Sequence, residues 1–272
     1  MKKFYFLVLL LEIAHCIQGQ QKEYKFINFS SKNGLTSNSV NAIIKDRNGF
    51  MWFATEDGLN RFDGLNFTAY HHKDRDSTSI GRGPVIAMTQ DKTGNLWLAT
   101  NLTLSMYNLN VDSFINYDFT KFGWIISLFA DHSGKIWVGT YTGLHIFDPI
   151  TKKVQSFKAD MVNNSSLNSN TIQCIFEDTR NNVWVGTDNG LHLYNRKNSK
   201  FTRFLSDSNR QDAISCNQIN CITESKDGRL WIGTKKGGLN VMTGLKNSFI
   251  SYKSVANDNS TLSKRVFWNY RN

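Results

Sequence analysis

Five tryptophans recur along the chain at intervals of 40 to 47 residues, each inside nearly the same short pattern. An Asp or Ser stands six residues before each Trp, a Gly or Asn three residues before it, and a Thr three residues after it. Internal periods of this length are typical of propellers and repeat arrays, so they constrain the fold more than any local signal does. The repeated residues are Trp52, Trp97, Trp137, Trp184 and Trp231.

The residues before each Trp indicate a tight turn between two strands. An Asp side chain can accept hydrogen bonds from nearby backbone N–H groups, and the following Gly tolerates positive φ. Asn181 stands in place of Gly in the fourth copy, and Asn is the usual substitute at such a position. Each copy therefore begins with a strand, a hairpin turn and a second strand that contains the Trp.

The neighbours of every Trp are apolar, as Ile136 and Val138 are around Trp137. In a strand these neighbours point to the face opposite the Trp, so both faces of the strand are expected to be covered. An Ala or Gly two residues after each Trp leaves space for the ring on its own face. We therefore assign the five repeated tryptophans to packing rather than to ligand binding.

Two further strands follow in each copy, and the first strand carries a small residue at its third position. Cys174 and Cys221 occupy that position in the last two copies, where Ala42, Ala87 and Ser127 stand in the others. No stretch shows the sustained helical periodicity that an α/β fold requires. The predicted fold is an all-β propeller of four-stranded antiparallel blades within residues 24–263. The five complete blades are expected at about residues 40–70, 85–117, 125–157, 172–204 and 219–252.

The N-terminus differs in character from the repeats. Lys2 and Lys3 precede an apolar stretch at residues 4–11, and smaller or polar residues follow. This order is typical of a secretory signal, so residues 1–19 are predicted to be removed on export to the periplasm. Cys16 leaves a lipidated N-terminus as the alternative.

The remaining three cysteines do not suggest a disulfide framework, because their number is odd. Cys216 is expected in a loop as a free thiol. The sequence shows no His/Cys cluster at metal-ligand spacing, and no metal or cofactor is predicted.

The net charge of +10 allows two interpretations, a solvated Lys-rich surface or a surface that binds an acidic ligand or a membrane. Basic residues are scattered without a dense run. Nucleic acid is therefore not an expected partner.

The pattern resembles the two-component regulator propeller repeat. The segment GLTSNSVNAIIKDRNGFMWFATEDGLNRFD at residues 34–63 matches that repeat nearly throughout, and LNSNTIQCIFEDTRNNVWVGTDNGLHLYN at residues 167–195 matches it again. The second copy departs most, because NLTLSMYN lacks the usual Gly-Leu.

The resemblance implies a signal-input module. Such repeats typically form the extracytoplasmic sensor of membrane histidine kinases, and many are similar to gut-bacterial sensors of complex-glycan fragments. The chain is therefore expected to bind a small glycan ligand in the periplasm without chemistry of its own. Its expected partners are the further propeller blades and the kinase of a longer protein, and a homodimer is compatible with this arrangement.

Two other function classes stay open, a glycan-acting hydrolase or lyase and a protein-interaction scaffold. A glycosidase normally needs two carboxylates that face one bond. Glu56, Asp57 and Asp188 are expected in turns from which they could reach a ligand, but they form no recognisable pair.

Candidate ligand-binding residues lie where the repeat is interrupted. Trp124 stands just before a first strand, where an exposed aromatic ring could stack on a sugar; an additional packing role is the alternative. His71, His72, Arg75 and Arg82 lie in the long segment that leads into the second blade. They are candidates for ligand contact, with solvated surface as the alternative.

Both ends of the repeat region are expected to be incomplete. Phe26 and Phe29 have the spacing of an outer strand but lack inner strands of their own. The register fails after Ser263, so residues 264–272 are expected to be an off-register remnant of an incomplete sixth blade. The sequence thus predicts an unclosed propeller and a truncated reading frame.

Overall fold

The computed structural model describes residues 25–243, 248–254 and 261–262. Within these ranges the chain forms twenty β-strands and two short 3-10 helices, at Ser31–Asn33 and Thr120–Phe122. The strands form five separate four-stranded antiparallel sheets, each in simple sequence order. The predicted all-β architecture of five four-stranded blades is confirmed.

Each blade consists of four consecutive strands. Blade 1 contains β1 (Val40–Lys45), β2 (Met51–Thr55), β3 (Gly58–Phe62) and β4 (Phe67–Tyr70). Blade 2 contains β5 (Ala87–Gln90), β6 (Leu96–Ala99), β7 (Thr103–Asn108) and β8 (Ser113–Asp118). Blade 3 contains β9 (Ile125–Ala130), β10 (Ile136–Thr140), β11 (Leu144–Phe147) and β12 (Val154–Phe157). Blade 4 contains β13 (Ile172–Glu177), β14 (Val183–Thr187), β15 (Gly190–Asn195) and β16 (Lys200–Phe204). Blade 5 contains β17 (Ile219–Glu224), β18 (Leu230–Thr234), β19 (Leu239–Thr243) and β20 (Ser248–Tyr252).

The antiparallel order gives every blade two ends. We call the end formed by the turns between strands one and two and between strands three and four the lower face. The end that carries the turns between strands two and three, together with the start of each first strand, is the upper face. The first strands of all five blades line one common cavity of about 270 Å³. The blades are therefore arranged around a shared axis, as in a propeller.

The first turn of each blade is closed by the Asp of the repeat. In blade 2 the Asp91 carboxylate accepts hydrogen bonds from the backbone N–H groups of Thr93 and Asn95, at 2.9 Å each. Its other oxygen accepts the indole Nε1–H of Trp97 at 2.9 Å. Burial opposes ionisation of this carboxyl, but the side-chain hydrogen bonds outweigh it and lower the pKa of Asp91. The Asp thus holds the Trp as well as the turn, a bond that the sequence analysis did not predict.

Residues with positive φ lie where the repeat predicts them. Gly49, Gly94, Gly134 and Gly228 have φ values between 77° and 95°, and Asn181 has φ 65° in the same position. The expected substitution of Asn for Gly at a left-handed turn position is confirmed.

Four hydrophobic clusters lie between successive blades. Each combines the Trp-bearing face of one blade with the aliphatic face of the next. In the first cluster Trp52 and Leu59 of blade 1 pack with Met88 and Leu98 of blade 2. The interior blades are thus covered on both faces, as the apolar neighbours of each Trp predict.

A column of buried polar residues lies at the second or third position of strand three in each blade. Asn60 accepts the backbone N–H of Thr36 at 3.1 Å, and His192 accepts that of Asn168 at 3.0 Å. These bonds fasten the segments that enter blades 1 and 4 to their sheets. Because Nε2 of His192 accepts, its proton lies on Nδ1, which is buried without a hydrogen-bond partner among the described residues. The members are Asn60, Ser105, His145, His192 and Asn240.

The expected outer strand at Phe26 and Phe29 is not formed. Residues 25–30 have no strand pairing within the described part of the chain, and Phe26 projects into solvent. Phe29 instead packs on Phe62 and Phe67 of blade 1, with ring centroids 5.1 and 5.5 Å away. The prediction was wrong because a strand needs a hydrogen-bonded neighbour, whereas the three-residue spacing of the two rings reported only on packing. The predicted signal at residues 1–19 and the off-register residues 264–272 lie outside the described residues.

Candidate ligand-binding site on the upper face

The segment that enters blade 3 places Trp124 on the upper face. Gly123 has φ 80°, and an added Cβ there would lie 2.9 Å from Oγ1 of Thr142. Only Gly therefore allows this close approach to the turn between β10 and β11. The Trp124 carbonyl accepts the backbone N–H of Tyr141 at 3.2 Å, which fixes Trp124 beside that turn.

Trp124 and Tyr141 line one open cavity of about 530 Å³. Trp124 is 57% exposed and Tyr141 55% exposed, so neither ring is used to fill a core. The other lining residues come from the starts of the first strands of blades 1 to 3 and from one turn of blade 2. They are Val40, Asn41, Pro84, Ile86, Asn101, Ile125 and Ile126.

Two asparagines provide the polar groups of this cavity. The Asn41 amide donates to the carboxylate of Glu56 at 3.1 Å and to the carbonyl of Val85 at 3.0 Å, so its carbonyl oxygen is left to accept from a ligand. Asn101 lies in the turn between β6 and β7, and its backbone carbonyl accepts the N–H of Ile125 at 2.8 Å. Exposed aromatic rings and a few convergent amides in one cavity are typical of a small-molecule site.

The charged segment before blade 2 forms a second cavity, of about 450 Å³, with His72, Arg75 and Arg82 in its lining. The structure ties two of these to Asp74, because His72 Nε2 lies 3.3 Å and Arg82 Nη2 2.5 Å from its carboxylate. The Arg82 hydrogen bond lowers the pKa of Asp74, which therefore stays ionised and offsets the positive charge. His71 does not line this cavity and faces Asp57 at 3.8 Å. The four predicted residues are thus not assembled into one site with Trp124.

Two of the three carboxylates considered for glycan hydrolysis contact other side chains of the upper face. Glu56 is bound by Asn41, and Asp57 faces His71. Asp188 lies in the corresponding turn of blade 4. The described lining of the Trp124 cavity contains no carboxylic acid and no His.

Sequence reasoning found Trp124 but missed Tyr141, Asn41 and Asn101. Tyr141 follows the repeated Thr directly, a position held by Glu56, Asn101, Asp188 and Lys235 in the other copies. An aromatic among polar turn residues is a signal of the same kind as Trp124. Asn41 gave no such signal, because its position holds polar and apolar residues alike.

Two other kinds of functional element are absent from the described residues. No group of three or more His, Cys, Asp or Glu residues there could hold a metal ion. Among the helices that the structure describes, none has the length and apolar character to span a membrane.

Comparison with known proteins identifies the repeat. The family model described as two component regulator propeller matches five segments, residues 34–57, 79–102, 121–142, 166–189 and 213–236. A curated relative, histidine kinase P4 of Formosa agariphila, is 38% identical over 73 residues. That match covers 27% of this chain and 5% of the kinase.

Solved structures share the fold at low identity. The extracellular domain of a putative hybrid two component system from B. thetaiotaomicron superposes with a TM-score of 0.58 at 23% identity, covering 90% of this chain and 38% of that one. Virginiamycin B lyase from Staphylococcus aureus superposes with a TM-score of 0.61 at 13% identity, covering 79% of this chain and 70% of that one. These likenesses establish a propeller fold, which occurs both in an extracellular domain of a two component system and in a lyase.

Proposed function

The chain carries five two-component regulator propeller repeats, and from this premise we propose that it is the ligand-sensing part of a two-component sensor located outside the cytoplasm. The predicted signal at residues 1–19 supports export, and the extracellular domain that shares the fold supports the same location. The kinase relative supports a longer protein in which further blades and a kinase follow.

The ligand that we propose is an oligosaccharide bound in the Trp124 cavity. This proposal rests on the two half-exposed aromatic rings that Trp124 and Tyr141 present to one cavity. Asn41 and Asn101 line the same cavity. A sugar ring can place its apolar C–H face on an aromatic ring while its hydroxyls bond to amides. If the two rings served packing, they would be buried in the ligand-free protein.

Binding can be tested by isothermal titration of the chain with a panel of purified oligosaccharides of different linkage. We expect saturable binding of a subset, and a loss of about 1–3 kcal/mol of binding free energy in Trp124→Ala, within the range for an aromatic hot spot. Because Trp124 is not part of a core, the melting temperature of this variant should stay near that of the parent.

Phe26→Ala is the matched control, since Phe26 is an exposed aromatic far from the cavity in sequence and absent from its lining. It should bind like the parent. Unaltered affinity in Trp124→Ala together with a large loss of stability would show that the ring is a packing residue. Equal affinity losses in both variants would also refute the proposed site.

A hydrolase or lyase is distinguished in the same experiment by product analysis. The proposed sensor leaves every bound oligosaccharide intact, as expected of a cavity whose described lining lacks an acid–base pair. Time-dependent appearance of shortened or unsaturated products would indicate an enzyme.

A further inference from the structure

Exposed aliphatic side chains recur at the tips of the turns between strands three and four in blades 1 to 3. Leu65, Val111 and Ile150 are 87%, 65% and 89% exposed. Single exposed apolar residues are ordinary on protein surfaces. Their recurrence at one topological position in three successive blades places them along the same rim of the lower face.

The local geometry holds these tips outward. The Asp63 carboxylate accepts the backbone N–H of Leu65 at 2.8 Å, and Asp148 accepts that of Ile150 at 2.9 Å. Both are turns in which an Asp fixes the residue two positions later. Leu65 and Ile150 are thus presented by ordered turns.

The lower face also carries an excess of exposed basic residues. Turns of the lower face contribute Arg47, Lys92, Lys153, Arg180, Lys197 and Lys226, and none of these forms an ion pair with a carboxylate among the described residues. Several acidic groups of the same turns are bound within the chain, although Asp63 and Asp112 form no ion pair among the described residues. Asp112 accepts the Tyr107 hydroxyl at 2.6 Å, Asp148 pairs with Lys135 at 2.6 Å, and Asp227 pairs with Arg229 at 2.7 Å.

The turns between strands two and three on the upper face have a different composition. They include Glu56, Asp57 and Asp188 along with Lys235 and Lys236, and no aliphatic tip recurs there in the described blades. The combination of protruding aliphatics and unpaired cations is therefore a property of the lower face.

We propose that the lower-face rim docks on an anionic lipid bilayer, with Leu65, Val111 and Ile150 entering the interfacial region and the basic turns contacting lipid phosphates. Apolar tips gain by leaving water, and Lys and Arg are attracted to a negative lipid surface. Charge complementarity selects this occupant over an apolar protein surface, which would leave the cations without partners.

The test is co-sedimentation of the full chain with vesicles of equal parts phosphatidylglycerol and phosphatidylethanolamine, compared with phosphatidylcholine vesicles. The triple variant Leu65→Ser, Val111→Ser, Ile150→Ser is expected to bind the anionic vesicles more weakly by about tenfold or more. The pair Lys92→Glu, Lys226→Glu is expected to remove the preference for phosphatidylglycerol, and added salt should weaken the parent's binding.

Matched controls come from the same chain. Met161→Ser with Val162→Ser removes two exposed aliphatics from the loop beside Arg203, where Asp160 fixes Val162 in a turn of the same kind. Lys235→Glu with Lys236→Glu makes the same charge change on the upper face. Both controls should bind like the parent.

Hydrogen exchange provides a local measurement that does not depend on the apolar residues 4–11, which all variants share. Anionic vesicles should slow exchange in the turns at residues 63–66, 109–112 and 148–153 but not in the turn at residues 141–143. Unchanged exchange in the lower turns would overturn the proposal. Equal affinity of the parent and the triple variant for anionic vesicles, or an equal loss in the controls, would overturn it too.

Discussion

Blade 1 and the interior blades carry equivalent residues on the aliphatic face, opposite the repeated Trp, but these residues lie in different environments. Val40 is 38% exposed and Ile43 46% exposed, whereas Ile172 and Ile175 at the same positions of blade 4 are buried. The opposite end shows the same contrast, because Trp231 of blade 5 is partly exposed and the other repeated tryptophans are buried. A blade is therefore an unfinished unit whose stability depends on its neighbours.

The contacts of the tryptophans explain the difference. Trp97 stacks on Tyr117 of its own blade and meets Phe147 of blade 3 edge-on, at a centroid distance of 5.9 Å in each case. Trp231 stacks on Tyr252 of its own blade at 6.1 Å, and no ring of another blade contacts it among the described residues. The same residue in the same repeat thus belongs to an interblade core in one case and to a surface in the other.

Replacing these two tryptophans should give the largest difference. Trp97→Ala removes a fully buried ring and leaves a cavity between blades 2 and 3, so we expect a loss of about 3–5 kcal/mol in the free energy of unfolding. Trp231→Ala should cost less than half as much, because part of the ring already contacts water. Denaturant unfolding monitored by circular dichroism measures both.

The Phe variants at these positions separate packing from hydrogen bonding. Trp97→Phe keeps much of the ring but removes the donor to Asp91, and Trp231→Phe removes the donor to Ser225. Losing a donor to a buried, ionised group should cost more than losing one to a half-exposed hydroxyl. Equal losses in the two Ala variants would contradict the distinction between end and interior blades.

The buried polar column varies in a related way, and it gives a smaller, pH-dependent effect. The end blades have Asn60 and Asn240 in this column, whereas blades 3 and 4 have His145 and His192. Burial lowers the pKa of each histidine to about 4, from an ordinary value of 6.5. The folded protein therefore holds both rings neutral in a range where an unfolded chain would protonate them.

The sign of the pH dependence follows from these values. Between pH 6.5 and about 4 the two rings bind more protons in the unfolded state than in the folded state, so their contribution to stability falls as the pH is lowered through this window and is constant above it. His192→Asn should flatten the loss, since Asn keeps an acceptor for the Asn168 N–H without a titratable ring. Thermal unfolding at several pH values measures this, with Asn240→Ala as a control that lowers stability equally at every pH. A loss of stability between pH 6.5 and about 5, above the range in which carboxylates titrate, that survives in the double variant His145→Asn, His192→Asn would refute the assignment to these rings.

The sequence predicted the blades because each repeats the same turn and packing requirements five times. Gly or Asn at the left-handed position and apolar residues beside each Trp are local demands that a pattern can display. The hydrogen bond from Trp to Asp was not predicted. The role of the Asp in the turn already explained its presence, and the spacing of two residues does not reveal a second role.

The candidate site was only partly predictable for a physical reason. Trp124 can be detected from the sequence because the other copies hold smaller or polar residues at its position, namely Ser39, Pro84, Thr171 and Gln218. Asn41 and Asn101 join it because three blades converge near the axis, which no single copy of the repeat encodes. The pairing of Arg82 and His72 with Asp74 likewise depends on the path of one loop.

The smallest expected difference concerns Cys174 and Cys221, which fill the small-residue position of adjacent blades. A Cβ added at Gly186 would lie 2.5 Å from Sγ of Cys174 and 2.6 Å from Cγ2 of Ile219 in blade 5. The thiol thus occupies a space bounded by its own blade and the next one. Cys174→Leu should overpack it and cost about 1–3 kcal/mol, whereas Cys174→Ala should be tolerated because Ala42 and Ala87 hold the same position. Cys221 faces away from blade 4, toward the side where the described chain has no further blade, so Cys221→Leu should be accommodated at a smaller cost. Chemical denaturation of the three single variants checks this order. A parent-like midpoint for Cys174→Leu would show that the interior position is not crowded, and a loss in Cys221→Leu as large as in Cys174→Leu would show that the two faces are equally constrained.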